Sequence, residues 1–221
     1  MLTSLDGYTE DEHGKFGWGA PEDPDVHRHI NALASSLGTY LYGRKMYETM
    51  VYWETAHEEP NQPDFILDWA RQWQKAEKIV YSRTLTEPRS AHTKLEREFD
   101  PEVVRQLKSE SSKDLSIDGP ELAAQALKAG LVDEIQMIIC PVIVGGGKRF
   151  FPTDVHLNLE LIDEVSFQNG VTILRYNVRY DENSPRQGWE DAAREMHAAG
   201  DDILLFDDLP AEFDKEEMWD D

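Results

Sequence analysis

Between Asp114 and Val144 the spacing of apolar positions changes period twice. Leu115 and Ile117 lie two apart, as on one face of a strand, and Gly119-Pro120 breaks the run. Leu122, Ala123, Ala126 and Leu127 then recur at helical spacing. Pro120 stands where a first helical residue can spare its N–H, and Gly130 where a left-handed residue closes a helix. Past Leu131-Val132-Asp133-Glu134 comes the apolar run Ile135 to Val144, interrupted by Gln136 and Pro141. The pattern predicts strand, tight turn, helix, turn, strand, which is a parallel βαβ unit.

The same rhythm runs through the rest of the chain. Met1 to Tyr8 reads as the end of a strand entering a loop, with an apolar run as short as if upstream strand residues were missing. Gly14 to Pro21 has the glycine and proline density of a mobile or ligand-facing loop. Glu22-Asp23-Pro24-Asp25 opens a helix that runs to about Leu37, acidic in its first turn. Thr39 to Tyr42 is a predicted strand, Gly43 a turn, and Arg44 to about Tyr52 a helix. Phe65, Trp69 and Trp73 recur every four residues, the stripe of a helix packed on a core rather than a cofactor box. Lys78 to Ser82 is a strand and Pro101 to Lys108 a helix capped by Asp100. Leu157 to Phe167 and Val171 to Tyr180 flank Asn169-Gly170, which predicts a hairpin with Leu174, Tyr176, Val178 and Tyr180 on one face. The fold class is therefore α/β, a mostly parallel central sheet flanked by helices and closed by a C-terminal antiparallel hairpin.

Charge divides the chain. Its formal net charge is −22 over 221 residues, and residues 181–221 hold 15 of the 44 acidic groups but only 3 of the 22 basic ones. The tail thus carries −12 and residues 1–180 carry −10, which predicts one domain over 1–180 and an acidic, partly helical or disordered appendage over 181–221. Such a balance argues against nucleic acid as a partner. No apolar run approaches the roughly 20 residues of a membrane span, and the N-terminus lacks a secretory apolar segment, so a cytoplasmic protein is expected. Cys140 cannot form an internal disulfide and reads as a buried structural thiol. The seven histidines show no metal-ligand spacing, so no metal is expected.

The chemistry predicted from this pattern is phosphate binding. A helix that starts just past a parallel strand, with glycine between them, points backbone N–H groups outward where its dipole favours an anion. Gly145-Gly146-Gly147 follows the next strand, and two such turns near one sheet edge suggest a cradle for a diphosphate.

Five motifs in order carry a family resemblance. They are Ser4-Leu5-Asp6-Gly7-Tyr8, Leu41 to Glu48, Asp118-Gly119-Pro120-Glu121-Leu122, Gly130 to Glu134, and Pro141 to Lys148. Together they resemble the dihydrofolate-reductase-like family, most closely the stand-alone relatives of the reductase domain of the bacterial bifunctional riboflavin-pathway deaminase-reductase. The resemblance covers residues 1 to about 180. It implies an NADPH-dependent reductase of a small heteroaromatic or carbonyl metabolite, pterin-like or ribityl-pyrimidine-like, with the cofactor across the strand ends. Gly43, Arg44 and Lys45 would meet the cofactor phosphates. Ser82 and Arg83 would meet its adenosine end, with Arg83 able to pair a 2′-phosphate. Gly119, Pro120, Glu121 and Leu122 would hold the pyrophosphate beside Gly145 and Gly146. Asp6 and Asp23 are the implied catalytic candidates, Asp23 because Trp18-Gly19-Ala20-Pro21-Glu22-Asp23 is similar to the pterin-anchoring pattern of dihydrofolate reductases. Asp23 reads equally as a carboxylate in the first turn of a helix. Trp18, Tyr47 and Trp53 are candidates for the substrate pocket, and the last two read equally as core aromatics. Met46 and Asp118 depart from the family, which often has threonine and glycine there. Relatives pair through sheet edges or helices, so a homodimer is also implied.

The tail offers a function of a different class. The run from Gln187 to Asp202 and the closing acidic segment with Trp219 resemble the toxin-binding C-terminus of MazE-type antitoxins. That implies a non-catalytic binding protein whose acidic tail folds along a basic protein partner, with Trp189, Leu205, Phe206 and Trp219 as anchors.

Overall fold

Parallel strands joined by helices need their carboxyl ends on one side, and that requirement orders the whole domain. A computed structural model describes residues 1–19 and 23–180. In chain order it has β1 (Leu2–Ser4), β2 (Tyr8–Glu10), a 3-10 turn at Gly17–Gly19, and α1 (Pro24–Leu33) running into another such turn. Next come β3 (Leu37–Gly43), α2 (Arg44–Met50), two short 3-10 turns, α3 (Asp64–Lys75), β4 (Glu77–Tyr81) and β5 (Thr93–Glu96). The remainder is α4 (Pro101–Glu110), β6 (Asp114–Asp118), α5 (Pro120–Lys128), β7 (Glu134–Cys140), β8 (Lys148–Arg149), β9 (Asn158–Ser166) and β10 (Thr172–Arg179).

The mixed α/β architecture with flanking helices is as expected, but the central sheet comes in two parts. One has the order β5-β4-β3-β6, all parallel, and the other β1-β7-β10-β9, in which only β1 and β7 are parallel. The seam lies between β6 and β1, whose three residues reach only as far as Ile138 to Cys140 of β7. The expected βαβ unit is present, yet β6 and β7 are not neighbours. β5 and the two-stranded β2–β8 ladder lack a legible sequence pattern, being four, three and two residues long. α1 stops at Leu33, short of the expected Leu37, because Leu37 already pairs with Asp114 on β6. β7 stops at Cys140 because Pro141 ends the ladder. β10 is buried on both faces, Ile173 on the side of α1 and Val178 on the side of α5, because it lies between β7 and β9.

The layer under β3 and β4 is built from aromatics. Trp73 on α3 is fully buried with Tyr40, Tyr42, Tyr47 and Val80, and its Nε1 donates to the Tyr42 hydroxyl at 3.1 Å. Lys78 enters this core from β4. Its Nζ donates to the carbonyl oxygens of Trp73 (3.0 Å) and Gln74 (3.3 Å), closing the C-terminus of α3, and lies 4.4 Å from the Trp73 ring centre. Burial lowers its pKa, against the carboxylates of Glu54 and Glu77. On the far side of the domain Cys140 is buried, and desolvation pushes its thiol pKa up.

Trp73→Ala removes the largest fully buried side chain and the hydrogen bond to Tyr42. Urea unfolding should show a loss of about 3–5 kcal/mol.

Candidate functional site

Among the described α-helices two start from an aspartate and two from a glycine, while α3 follows Pro63 with no side-chain cap. Asp23 caps α1 and Asp100 caps α4, each side chain accepting the N–H two residues on, from Asp25 and Glu102, at 2.9 Å. α2 and α5 are instead preceded by Gly43 and Gly119, which have no side chain to take up first-turn N–H groups. These two starts are adjacent, because Tyr42 is the register partner of Asp118 in the β3–β6 ladder. Gly119 has a φ of +100°, and a Cβ there would lie 3.6 Å from Met46 Cβ and 3.9 Å from Gly43 N. A bare backbone surface therefore spans the carboxyl ends of β3 and β6, with the N–H groups of Glu121 and Leu122 at the first turn of α5.

Around this surface stand cations. Arg44 donates from Nε to Glu48 Oε1 at 2.8 Å and from Nη1 to Thr84 Oγ1 at 2.6 Å, bridging the β3 and β4 ends. Lys45 is exposed beside it. Arg83 is exposed and pairs with Glu98 at 3.1 Å. Lys148 reaches Glu121 at 3.0 Å and Glu10 at 3.4 Å. Partial burial works to lower the Lys148 pKa, but the two carboxylates outweigh it and hold the ammonium above its ordinary value.

Asp6 has another task. Its Oδ2 accepts the N–H of Gly145 at 2.8 Å and its Oδ1 that of Val144 at 3.2 Å, so the carboxylate ties the loop after β1 to the loop after β7. The Ser4 hydroxyl, and then, against some desolvation, the Gly145 and Val144 N–H groups, hold its pKa below the ordinary value. A carboxyl so placed is ionised at neutral pH and orients the loop rather than donating a proton. Gly146 lies next in that loop, and Gly147 is where backbone crosses backbone, since a Cβ there would lie 2.0 Å from Glu10 O.

Several expected contacts turn out otherwise. Tyr47 is fully buried, and its hydroxyl accepts the Arg89 N–H at 2.7 Å and meets Ser90 Oγ at 2.9 Å, so it is a core residue and not a pocket wall. Ser82 is buried and spends its hydroxyl on the N–H groups of Thr84 (3.3 Å) and Leu85 (3.0 Å), shaping the loop after β4. Asp23 is occupied as a helix cap. Trp18 is half-buried with Nε1 on Lys15 O at 3.2 Å, and Ala20, Pro21 and Glu22 of its motif lie outside the described residues. Trp53 is half-buried in edge-to-face contact with Trp69, 6.1 Å between ring centres, and lines a cavity in the seam of the sheet. The Asp118 carboxylate takes the Ser116 hydroxyl at 3.1 Å, and its charge adds to burial in raising the Tyr40 and Tyr42 pKa values.

Sequence reasoning missed Thr84, Arg97 and Lys148. Arg97 donates to the carbonyl oxygens of Ser82 (3.0 Å) and Leu85 (2.7 Å), bracing the same loop from β5's end. Only Lys148 had a legible clue, a cation directly after a glycine turn. Among the described residues no group of three metal-ligating side chains occurs, and no helix is long and apolar enough to cross a membrane.

The family model described as the RibD C-terminal domain matches residues 1–173. An uncharacterized protein of Bacillus subtilis (strain 168), YyaP, is 29% identical over 180 residues, covering 80% of this chain and 92% of its own. Among solved structures, a putative riboflavin biosynthesis protein from Shewanella sp. PV-4 superposes with a TM-score of 0.62 at 22% identity, covering 81% of this chain and 97% of that one. A Thermotoga maritima diaminohydroxyphosphoribosylaminopyrimidine deaminase/5-amino-6-(5-phosphoribosylamino)uracil reductase gives 0.55 at 13% identity, covering 80% of this chain but 55% of that longer one. The antitoxin-like tail gains no support from these matches and lies outside the described residues.

The Asp6 tie yields a pH prediction. A carboxyl with a depressed native pKa contributes stability above its unfolded value and loses it as pH falls through the native one. The Gly145 amide proton shift should titrate with a midpoint below 3.8, the ordinary value, and Asp6→Asn should abolish that titration.

Proposed function

Because the chain belongs to the RibD C-terminal domain family, we propose that it is an NADPH-dependent reductase of a small heteroaromatic or carbonyl metabolite. The observation that carries this reading is the pair of glycine-capped helix starts, Gly43 and Gly119, set side by side at adjacent strand ends. Two other helices of this chain, α1 and α4, are capped by aspartate, at Asp23 and Asp100. An aspartate at Gly119 would both fill the cradle and repel a diphosphate.

The residues present fit a dinucleotide. The N–H groups of Glu121 and Leu122 would receive the pyrophosphate, with Arg44 and Lys45 supplying counter-charge. Arg83 would leave its exposed pairing with Glu98 for a 2′-phosphate, an exchange that costs little because surface ion pairs contribute about 0–1 kcal/mol. The nicotinamide, when bound, supplies the hydride. What the protein adds is alignment. Asp6 holds the Val144–Gly145 loop against β1, and Arg97 with Ser82 holds the loop after β4. The choice of a pterin-like or ribityl-pyrimidine-like substrate is the family's expectation.

Titration of the purified protein with NADPH and with NADH, followed by tryptophan quenching and energy transfer to the nicotinamide, should show saturable binding that favours NADPH. Failure to bind either nucleotide would overturn the reading. Gly119→Val, which puts a branched side chain at φ +100° facing Met46, should weaken NADPH at least ~10-fold, about 1.4 kcal/mol. Arg83→Ala should narrow the preference over NADH.

A further inference from the structure

The two glycine-capped helix starts differ in charge. Beside the start of α2 stand Arg44 and Lys45. At the start of α5, Asp118 precedes Gly119 and Glu121 follows Pro120, so the local side chains are acidic. A diphosphate on the N–H groups of Glu121 and Leu122 would be repelled by two carboxylates unless a cation offset them. Lys148, from a distant part of the chain, is the cation that reaches this turn.

Backbone geometry puts it there. Gly147, at a φ of +123°, passes β2 so closely that a Cβ would collide with the Glu10 carbonyl oxygen. Lys148 is thereby the register partner of Glu10 in the β2–β8 ladder, and its carbonyl accepts the Thr9 hydroxyl at 3.2 Å. From that base the ammonium lies 3.4 Å from Glu10 Oε1 and donates to Glu121 Oε1 at 3.0 Å.

The two carboxylates that hold Lys148 are not equivalent. The Lys148 and Glu10 side chains are 25% and 21% exposed, whereas that of Glu121 is 83% exposed. An exposed carboxylate regains water when its cation leaves, and pairs of that kind contribute little. A largely buried one is left with an uncompensated charge, so its pair resists separation. Glu121 is therefore the exchangeable partner and Glu10 the lasting one. Glu121 also spends its Oε1 on Lys148 rather than on the first-turn N–H groups of its own helix, which leaves those groups to another anion.

We infer that Lys148 is a diphosphate-binding residue, whose ammonium exchanges Glu121 for a diphosphate oxygen while remaining on Glu10. The inference rests on the dinucleotide reading above and adds to it a cation on the α5 side, opposite Arg44 and Lys45. In the free protein the Lys148–Glu121 pair ties the β2–β8 ladder to α5. After the exchange the same tie runs through the bound diphosphate, and the Glu121 carboxylate turns to water. Lysine suits the task, because an ammonium on a flexible four-carbon stem binds phosphate as a point charge and changes partners without the matched plane that a guanidinium uses. A ligand without a diphosphate draws nothing from Lys148.

Equilibrium titrations of the full chain with NADPH, adenosine 2′-monophosphate and inorganic pyrophosphate test this. Lys148→Met, which keeps the stem and removes the charge, should weaken NADPH and pyrophosphate at least ~10-fold and leave adenosine 2′-monophosphate within about twofold. Lys148→Arg should recover part of the loss. Glu121→Gln removes the competing carboxylate and should tighten NADPH about threefold. If the Lys148–Glu121 pair were only a structural tie, Lys148→Met and Glu121→Gln would break the same tie and weaken NADPH alike, which would overturn the inference. Equal weakening of all three probes by Lys148→Met would also overturn it, as a general distortion. Binding of NADPH by the unaltered protein with no change in Lys148→Met would overturn the exchange and keep the dinucleotide reading. Lys148-dependent binding of pyrophosphate without binding of NADPH or NADH would do the reverse, and binding of no probe would overturn both.

Discussion

The candidate site of this protein depends on register between parallel strands. Tyr42 opposite Asp118 and Gly43 opposite Tyr81 place the ends of β6, β3 and β4 in one row. Each strand then releases its chain at the same level, and the loop or helix start beyond it faces the same way as its neighbours. A slip of one residue in β6 would move Gly119 by about 3.3 Å and separate it from Gly43, with no change in any side chain. The aromatic layer of Trp73, Tyr42 and Tyr40 fixes that register from beneath.

Much of this was legible because strongly periodic segments announce themselves. α5 with its Pro120 start, the Asp100 cap of α4 and the Asn169-Gly170 hairpin appear where the pattern put them. The elements that escaped notice, β2, β5 and β8, are too short to carry a period and exist only because a neighbouring strand offers an edge. For the candidate site, the glycine turns at Gly43 and Gly119 were readable because a tight passage from strand to helix favours a bare backbone. The roles of Tyr47, Ser82 and Asp6 were not, since a hydroxyl or carboxylate looks the same in sequence whether it faces a ligand or a loop amide. Burial and partner decided each case.

The protein also separates two uses of acidic residues. Asp23, Asp100 and Asp6 each accept main-chain N–H groups and so stabilise local geometry. Glu121 and Glu10 flank Lys148 and keep it charged and in place next to the first turn of α5. In a domain with a net negative charge, the cations near the glycine starts are thus held by carboxylates that an anionic ligand would have to outcompete or leave undisturbed.

Cys140 closes β7 opposite Ser4, on the short stretch where β1 is zipped to the sheet. Its sulfur is sealed from solvent and kept as a poorly nucleophilic thiol by that enclosure. Alkylation of this one sulfur therefore requires a local opening that exposes it, and follows how much of the protein is open in that way. The buried thiol thus reports, by its reactivity, on how often this part of the sheet is exposed.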